Sequence, residues 1–396
     1  MKILMVASYL PYPLYSGGEI RLYNLIKNLS ERNEIVLICE KRDYHTREDI
    51  EGVEKICKKV ITVTRKKQWS IKNILKTGFS TNPFLVTGHT SEEMRQAIRD
   101  ELVRENFDLI HVETFYVYQN LPKVSIPVVL TEHNVEYLVY KKYADLANPI
   151  LKPLLYIDVA KLKIKEEEVW RRVDKLVAVS NLERKIMKLK DIEVVPNGVD
   201  TQNFKFRNFQ DSEKEKRILY IGNYKWMQNK DAVEFILNEI WPAVLEKLQA
   251  SNRKINLKLW IVGKNMPRSF KNLIHDKNVI LDENNKDGTY EIFNKSDILL
   301  APFRIAGGTS YKILEAMATG VAVVTTHLGT EGLEAKPNVQ VLVSEEAEGL
   351  VNQVFDLLTD PSLYKRLTLN ARKFVQENYD WKEITKKLEE VYMSAF

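Results

Sequence analysis

The stretch ILLAPFRIAGGTSYKILEAMATGVAVVTT, Ile298 to Thr326, constrains the fold more than any other part of the chain. Two apolar runs of the kind that make buried parallel strands, Ile298 to Ala301 and Val321 to Thr325, bracket an amphipathic segment. That segment opens on Gly307-Gly308-Thr309-Ser310 and stops at Gly320, giving one strand, glycine turn, helix, strand unit. Ile313, Leu314, Met317 and Ala318 recur at helical spacing and face a sheet, so Glu315 falls off that face. A helix entered from a glycine turn presents unpaired backbone N–H groups and the positive end of its dipole, which suits a phosphate or diphosphate. Lys312 adds a charge there, and Glu315, one turn in, can accept hydrogen bonds from sugar hydroxyls. The same residues also describe an ordinary capped helix with a solvated Glu315, and local pattern does not choose between the two.

A chain of 396 residues exceeds what one hydrophobic core usually serves, so two domains are expected. Lys and Arg outnumber Asp and Glu by 59 to 54, too small an excess to imply nucleic acid. Local basic stretches, Lys58-Lys59 with Arg65-Lys66-Lys67 and the trio Lys161, Lys163, Lys165, read either as solvated faces or as contacts to anionic lipid. Cys39 and Cys57 have neither zinc-like spacing nor a disulfide framework, and a reducing cytoplasm is expected. The opening MKILMVAS reads as a first buried strand rather than a signal peptide. With no apolar span long enough to cross a bilayer, the expectation is a cytoplasmic protein, soluble or peripheral at the membrane.

In chain order, Ile3 to Ser8 is a strand and Tyr9 to Ser16 a proline-containing loop ending in Gly17-Gly18-Glu19. A helix from Ile20 to Leu29 and a strand from Ile35 to Cys39 complete a βαβ unit. It lacks the third glycine of a dinucleotide fingerprint, which disfavours a nicotinamide-dependent dehydrogenase. Gly17 and Gly18 serve either backbone shape alone or the approach of a phosphate. Val60 to Thr64 is a strand, Gln68 to His89 wraps the domain edge without clear periodicity, and Ser91 to Glu105 is a helix. Strands at Leu109 to Val112 and Val128 to Thr131 each end in a histidine, His111 and His133, and strand carboxyl ends line ligand crevices in open parallel sheets. His111 reads as a structural residue; His133, on a loop with Asn134 and Glu136, reads as a functional one.

From Leu151 to Asp174 a long charged helix suits an exposed face. A strand at Leu176 to Val179, a helix N-capped by Ser180 and a last strand at Val194-Val195 lead to the turn Pro196-Asn197-Gly198-Val199-Asp200. The alternation then repeats, with strands at Arg217 to Ile221, Leu257 to Val262, Val279 to Leu281 and Val339 to Val343 around the opening unit. Helices are expected at Asp231 to Leu248, Thr289 to Asn294 and from Val343 to the end, with breaks near Pro361 and Asp380. The fold class is therefore α/β: two Rossmann-like, doubly wound domains facing each other across a cleft. Residues 1–203, joined by the C-terminal helix 381–396, form the first; 204–216 is a linker; 217–380 is the second.

Six motifs in this order carry a family likeness: GGEIR, the TEH and AVS strand ends, VPNGVD, GTSYKILEAMATGVAVVTT and NARKFVQENYDWKEI. Together they resemble a retaining glycosyltransferase of family 4, with the GT-B fold, over the whole chain. The resemblance implies a nucleotide-sugar site on the second domain, with Glu315 matching a clamp on the donor's ribose hydroxyls. It implies that Gly17 and Gly18 meet the diphosphate through their backbone, and that His133 contacts the donor sugar near the reacting carbon. Asn197, Gly198 and Asp200 match a turn of mainly structural role. Two departures stand out: Gly307 replaces the first acidic residue of the family's paired-glutamate motif, and Asn223 and Gln228 stand where many relatives place Arg and Lys. In their place, Lys312, the Gly308, Thr309 and Ser310 amides and Lys225 are expected to neutralise the diphosphate.

The same resemblance implies sugar transfer from a UDP- or GDP-sugar to a glycan or lipid-linked acceptor, as in cell-envelope polysaccharide biosynthesis. Retention in the family is written as a front-face reaction in which the leaving phosphate takes the acceptor proton, so no protein nucleophile is expected. The catalyst must stabilise negative charge on the leaving group and exclude water. No Asp-x-Asp metal anchor occurs, and neither a metal nor another cofactor is expected. Competing readings are another GT-B enzyme, inverting with His111 or His133 as base or acting as an epimerase, and an inactive nucleotide-sugar-binding protein motivated by Gly307.

Overall fold

The computed structural model describes residues 1–207, 215–283, 285–305 and 308–396, apart from the side chain of Lys72. Gly307 and most of the expected linker thus lie outside the described residues. The chain divides into two compact units, Met1–Pro196 with Ile384–Phe396, and Asn197–Glu383.

The first unit is built on seven parallel strands: β1 (Lys2–Ala7), β2 (Glu34–Lys41), β3 (Lys59–Thr64), β4 (Leu109–Glu113), β5 (Val128–Glu132), β6 (Lys175–Ala178) and β7 (Ile192–Val194), in the order β3-β2-β1-β4-β5-β6-β7. Ile3 to Val6 and Ile35 to Cys39 are almost wholly buried, as strands covered by helices on both faces must be. The order reverses between β1 and β4, which opens a crevice at their carboxyl ends. The second unit repeats this with six: β8 (Lys216–Asn223), β9 (Leu257–Lys264), β10 (Val279–Asp282), β11 (Ile298–Ala301), β12 (Ala322–Thr325) and β13 (Leu342–Val343), ordered β10-β9-β8-β11-β12-β13 with the switch between β8 and β11.

Several expectations change. Gly17 and Gly18 are not a turn but the first residues of the helix Gly17–Leu29, because Ser16 and Glu19 form a capping box one residue before them. Arg47–Glu54 and Glu136–Leu146 are unforeseen helices, and Gln68 to His89 contains two more, Ile71–Gly78 and Phe84–His89. Ile71, Ile74 and Leu75 have helical spacing, but over eight residues the stripe is too short to stand out, and the structure turns it outward. The helix expected at Asp231 to Leu248 is Met227–Phe235 and Trp241–Ala250 joined by a π turn at Ile236–Ile240. Pro242 supplies the reason: it has no N–H to continue the α ladder. The strand expected from Val339 shrinks to Leu342–Val343.

In the second unit the helix Tyr311–Thr319 ends on Gly320, which sits left-handed at φ +84°. A Cβ there would lie 2.7 Å from the Phe206 ring. Gly320→Ala is therefore expected to cost about 2 kcal/mol, combining left-handed strain with that collision. A lowered urea midpoint at unchanged m-value would register it.

Candidate functional site

The second unit places its polar cluster at the carboxyl ends of β8 and β11. Gly308 takes φ +75° near the entry to the helix Tyr311–Thr319, and a Cβ added there would meet nothing within 4 Å among the described residues. Ser310 occupies the N-cap position without a side-chain cap bond, and the Thr309 hydroxyl is buried without a partner among the described residues. Lys312, in the first turn, donates to Asn229 Oδ1 at 2.9 Å, with its ammonium 4.5 Å from the Tyr220 ring and 5.1 Å from the Phe303 ring. Asn229 is itself fixed: it accepts from the Tyr220 hydroxyl at 2.8 Å and donates to the Asn223 carbonyl at 2.8 Å.

Glu315 shares this environment. Lys312 and Glu315 each keep some surface open to solvent. Burial nevertheless pushes Lys312 down to about 7, with Glu315 pulling the other way, and pushes Glu315 up to about 8, with Lys312 opposing. No donor among the described residues reaches the Glu315 carboxyl by hydrogen bond. A cation and a carboxyl group are thus held one turn apart in a site that disfavours both charges until something compensates them. Lys225 is exposed on the turn after β8, where its backbone N–H donates to Asn223 Oδ1 at 3.1 Å, and its ammonium forms no ion pair among the described residues.

In the first unit a second cluster sits at the carboxyl ends of β1, β4 and β5. Its centre is Glu113, the last residue of β4 and almost completely buried. Glu113 Oε1 meets His133 Nε2 at 2.5 Å and lies 3.6 Å from Arg21 Nε, while Oε2 meets His111 Nε2 at 2.8 Å. Burial pushes this carboxyl up, but His133 and His111 overcome it and hold Glu113 well below the usual carboxylate range. Arg21 is fully buried and donates to the Pro196 carbonyl at 2.8 Å. His111 lies within β4 rather than past its end; its Nδ1 bonds the Tyr392 hydroxyl of the last helix, so it ties sheet to helix and does not face the crevice. With Nε2 turned to Glu113, His133 leaves Nδ1 as its remaining nitrogen. Gly18 packs against it: a Cβ there would be 3.1 Å from the Tyr9 hydroxyl and 3.6 Å from His133 Cε1.

The loop bearing His133 is pinned at both ends. Glu132 accepts from Trp170 Nε1 at 2.9 Å, and Glu166 accepts the backbone N–H groups of Glu136 and Tyr137 at 2.7 and 3.0 Å. Glu166 thereby caps a helix whose own N-cap, Val135, has no side-chain acceptor. Burial raises all three carboxyls, Glu132 well above its ordinary value, Glu136 to about 7 and Glu166 to about 8. The Glu-rich half of the helix Lys152–Trp170, expected to be an exposed face, thus buries Glu166 and Trp170. Just after Glu113, Thr114 takes φ +75°, a strained conformation for a β-branched residue.

His133, Glu315 and Lys312 stand out in the sequence; Glu113 and Asn229, which contact His133 and Lys312, and Arg21 beside Glu113 do not. A signal existed for two of them. Glu113 ends an otherwise apolar strand, and Arg21 stands four residues before Leu25 on the apolar side of its helix, where a charge needs a buried counter-ion.

A family model described as "Glycosyltransferase Family 4" matches residues 15–203, and one described as "Glycosyl transferases group 1" matches residues 215–360. An uncharacterized 44.6 kDa protein of the cps region of Klebsiella pneumoniae is 24% identical over 395 residues, covering 97% of each chain. Among solved structures, sucrose-phosphate synthase of Thermosynechococcus elongatus superposes with a TM-score of 0.68 at 16% identity, covering 100% of this chain and 99% of that one. The Anabaena protein HepE, in complex with UDP, superposes with a TM-score of 0.66 at 14% identity, covering 100% of both.

Proposed function

We propose that this chain, whose two halves match glycosyltransferase family models and whose fold is GT-B, transfers a sugar from a nucleotide-diphosphate donor to a glycan or lipid-linked acceptor with retention of configuration, as family 4 enzymes do. The observation that carries this reading is the Lys312–Glu315 pair at a helix entry, a desolvated cation and a carboxyl with no hydrogen-bond donor among the described residues. A nucleoside diphosphate satisfies both, its anionic link lying on Lys312 and the Gly308, Thr309 and Ser310 amides, its ribose hydroxyls on Glu315. Lys225 adds charge from the neighbouring turn, and these groups serve as the countercharge in place of a metal ion. In the first unit, the helix that starts at Gly17 and Gly18 offers backbone N–H groups suited to an anion, and His133 keeps Nδ1 for a sugar hydroxyl. The complex of HepE with UDP supports the donor class, and likeness to a cps-region protein supports a role in cell-envelope polysaccharide synthesis.

Thermal-shift titration with UDP, GDP and their sugars in the presence of EDTA tests the donor site. No stabilisation by any of them would refute it. The His133–Glu113 pair favours one second reading, an inverting transferase in which a carboxylate-oriented histidine acts as general base. The anomeric configuration of the product, read by NMR, separates the two.

Lys312 also yields a prediction about stability. Its folded-state value lies below its ordinary one, so charging it costs stability; the cost is complete below about pH 7 and fades as pH rises toward the ordinary lysine range. Lys312→Met is therefore expected to raise the melting temperature by a few degrees near pH 7 while weakening donor binding. An anionic donor prefers the protonated lysine, so wild-type affinity falls as pH rises above about 7, by up to about tenfold per unit. That slope disappears in the variant, and calorimetric titration across pH checks both statements.

A further inference from the structure

The basic stretches singled out in the sequence are partly spent inside the fold: Lys58 pairs with Glu34 at 2.7 Å, Lys59 with Glu101 at 2.5 Å, and Arg65 lies 3.6 Å from Glu40. A different face of the first unit is uncovered. The helix Lys152–Trp170 buries Leu162, Glu166, Val169 and Trp170, and turns Leu154, Ile157 and Ile164 outward at helical spacing, 66, 56 and 69% exposed. The end of the helix Ile71–Gly78 rests on it, because Lys161 Nζ donates to the Thr77 and Ser80 carbonyls at 2.9 and 2.8 Å. That short helix exposes Ile71, with Trp69 and Phe79 at its two ends, by 79, 73 and 91%. Single exposed apolar residues are ordinary; a set of this size on two neighbouring helices marks a contact surface.

We propose that this face, formed by the helices Ile71–Gly78 and Lys152–Trp170, docks on an anionic lipid surface. Charge selects that occupant. Residues 66–80 and 139–170 contain ten lysines against two aspartates and three glutamates, and the glutamates, Glu166 to Glu168, lie together near the C-terminal end of the helix Lys152–Trp170. Lys66, Lys67, Lys76 and Lys142 are exposed and form no ion pair among the described residues. Apolar side chains entering the interface, aromatic residues at its edge and unpaired lysines around them are what an interfacial helix offers to acidic headgroups. A second copy of this chain fits poorly, because a two-fold contact would set the same lysines against each other. The inner side of the helix Lys152–Trp170 carries Glu166 and Trp170, which hold the His133 loop, so the docked face and that loop share one rigid element.

Co-sedimentation of the full chain with vesicles tests this independently of sugar transfer. Wild type is expected to bind phosphatidylcholine vesicles containing phosphatidylglycerol, to ignore pure phosphatidylcholine, and to be released by salt. Ile71→Glu with Leu154→Glu is expected to lower that partition by at least about tenfold at unchanged melting temperature, since both side chains are exposed. Equal partition of wild type and double variant would overturn the proposal, as would no vesicle binding at all. A dimer in light scattering that the double variant dissociates would overturn it too, by making the face a contact between copies. Nucleotide thermal shifts are unaffected by the variant, so failure here leaves the donor-site reading to stand or fall separately.

Discussion

Glu315→Ala is expected to lower kcat/KM for the nucleotide-sugar donor by about a thousandfold while leaving the protein folded. Two hydroxyl hydrogen bonds to an ionised carboxylate contribute about 1.5–3 kcal/mol each, and their loss corresponds to a factor of roughly a hundred to ten thousand. Folding does not suffer, because the carboxyl has no protein donor among the described residues and burial already disfavours its charge, pushing it up to about 8. That shift penalises stability above the ordinary glutamate value, fully so above pH 8, and removing the group removes the penalty. The variant is thus expected to melt no lower than wild type at pH 8. Steady-state kinetics and a melting curve on the same preparation decide it: full turnover in Glu315→Ala would end the assignment of this residue to the donor.

Glu113→Ala is expected to have the largest effect on stability, a loss of about 3–5 kcal/mol. It removes a carboxylate 3.6 Å from the fully buried Arg21, and it strips a partner from both His111 and His133. In a unit of this size that loss lowers the melting temperature by roughly 10 °C. Glu113→Gln keeps the shape and one acceptor, and is expected to fold better than the alanine variant yet remain slow, because an amide no longer fixes His133 as a carboxylate does. The pH dependence has a definite sign. Glu113 is held below its ordinary value, so its contribution is present above the ordinary glutamate range and is lost as pH falls through the lower folded-state value. The difference between wild type and Glu113→Gln should therefore shrink in acid, as calorimetry at neutral and low pH would record; a constant difference would contradict it.

Some of this was legible from residue patterns and some was not. The unit from Ile298 to Thr325 has the form its pattern predicts, two buried strands around a helix stopped by Gly320, because each feature is local and repeats a known period. The helix Ile71–Gly78 was not legible because Ile71, Ile74 and Leu75 repeat the helical period over only two turns, and that they face outward is a property of the fold. His133 and Glu315 stood out by their place at a strand end and a helix entry. Their neighbours did not: nothing near Lys312 in sequence announces Asn229, and nothing near His133 announces Arg21.

Alone, the sequence determined two parallel α/β units, the glycine-to-helix entry at Gly308 and the buried strands that form the two sheets. These arise from periodicity over a few residues, and the hydrophobic effect that enforces it is blind to partner identity. Only the tertiary structure decided who neutralises whom: Glu113 between Arg21, His111 and His133, Tyr392 on His111, Asn229 under Lys312, Glu166 at the start of a helix thirty residues earlier. Such pairs join positions far apart in the chain, and a charge or hydrogen bond is satisfied by distance and direction in space, which no local spacing encodes.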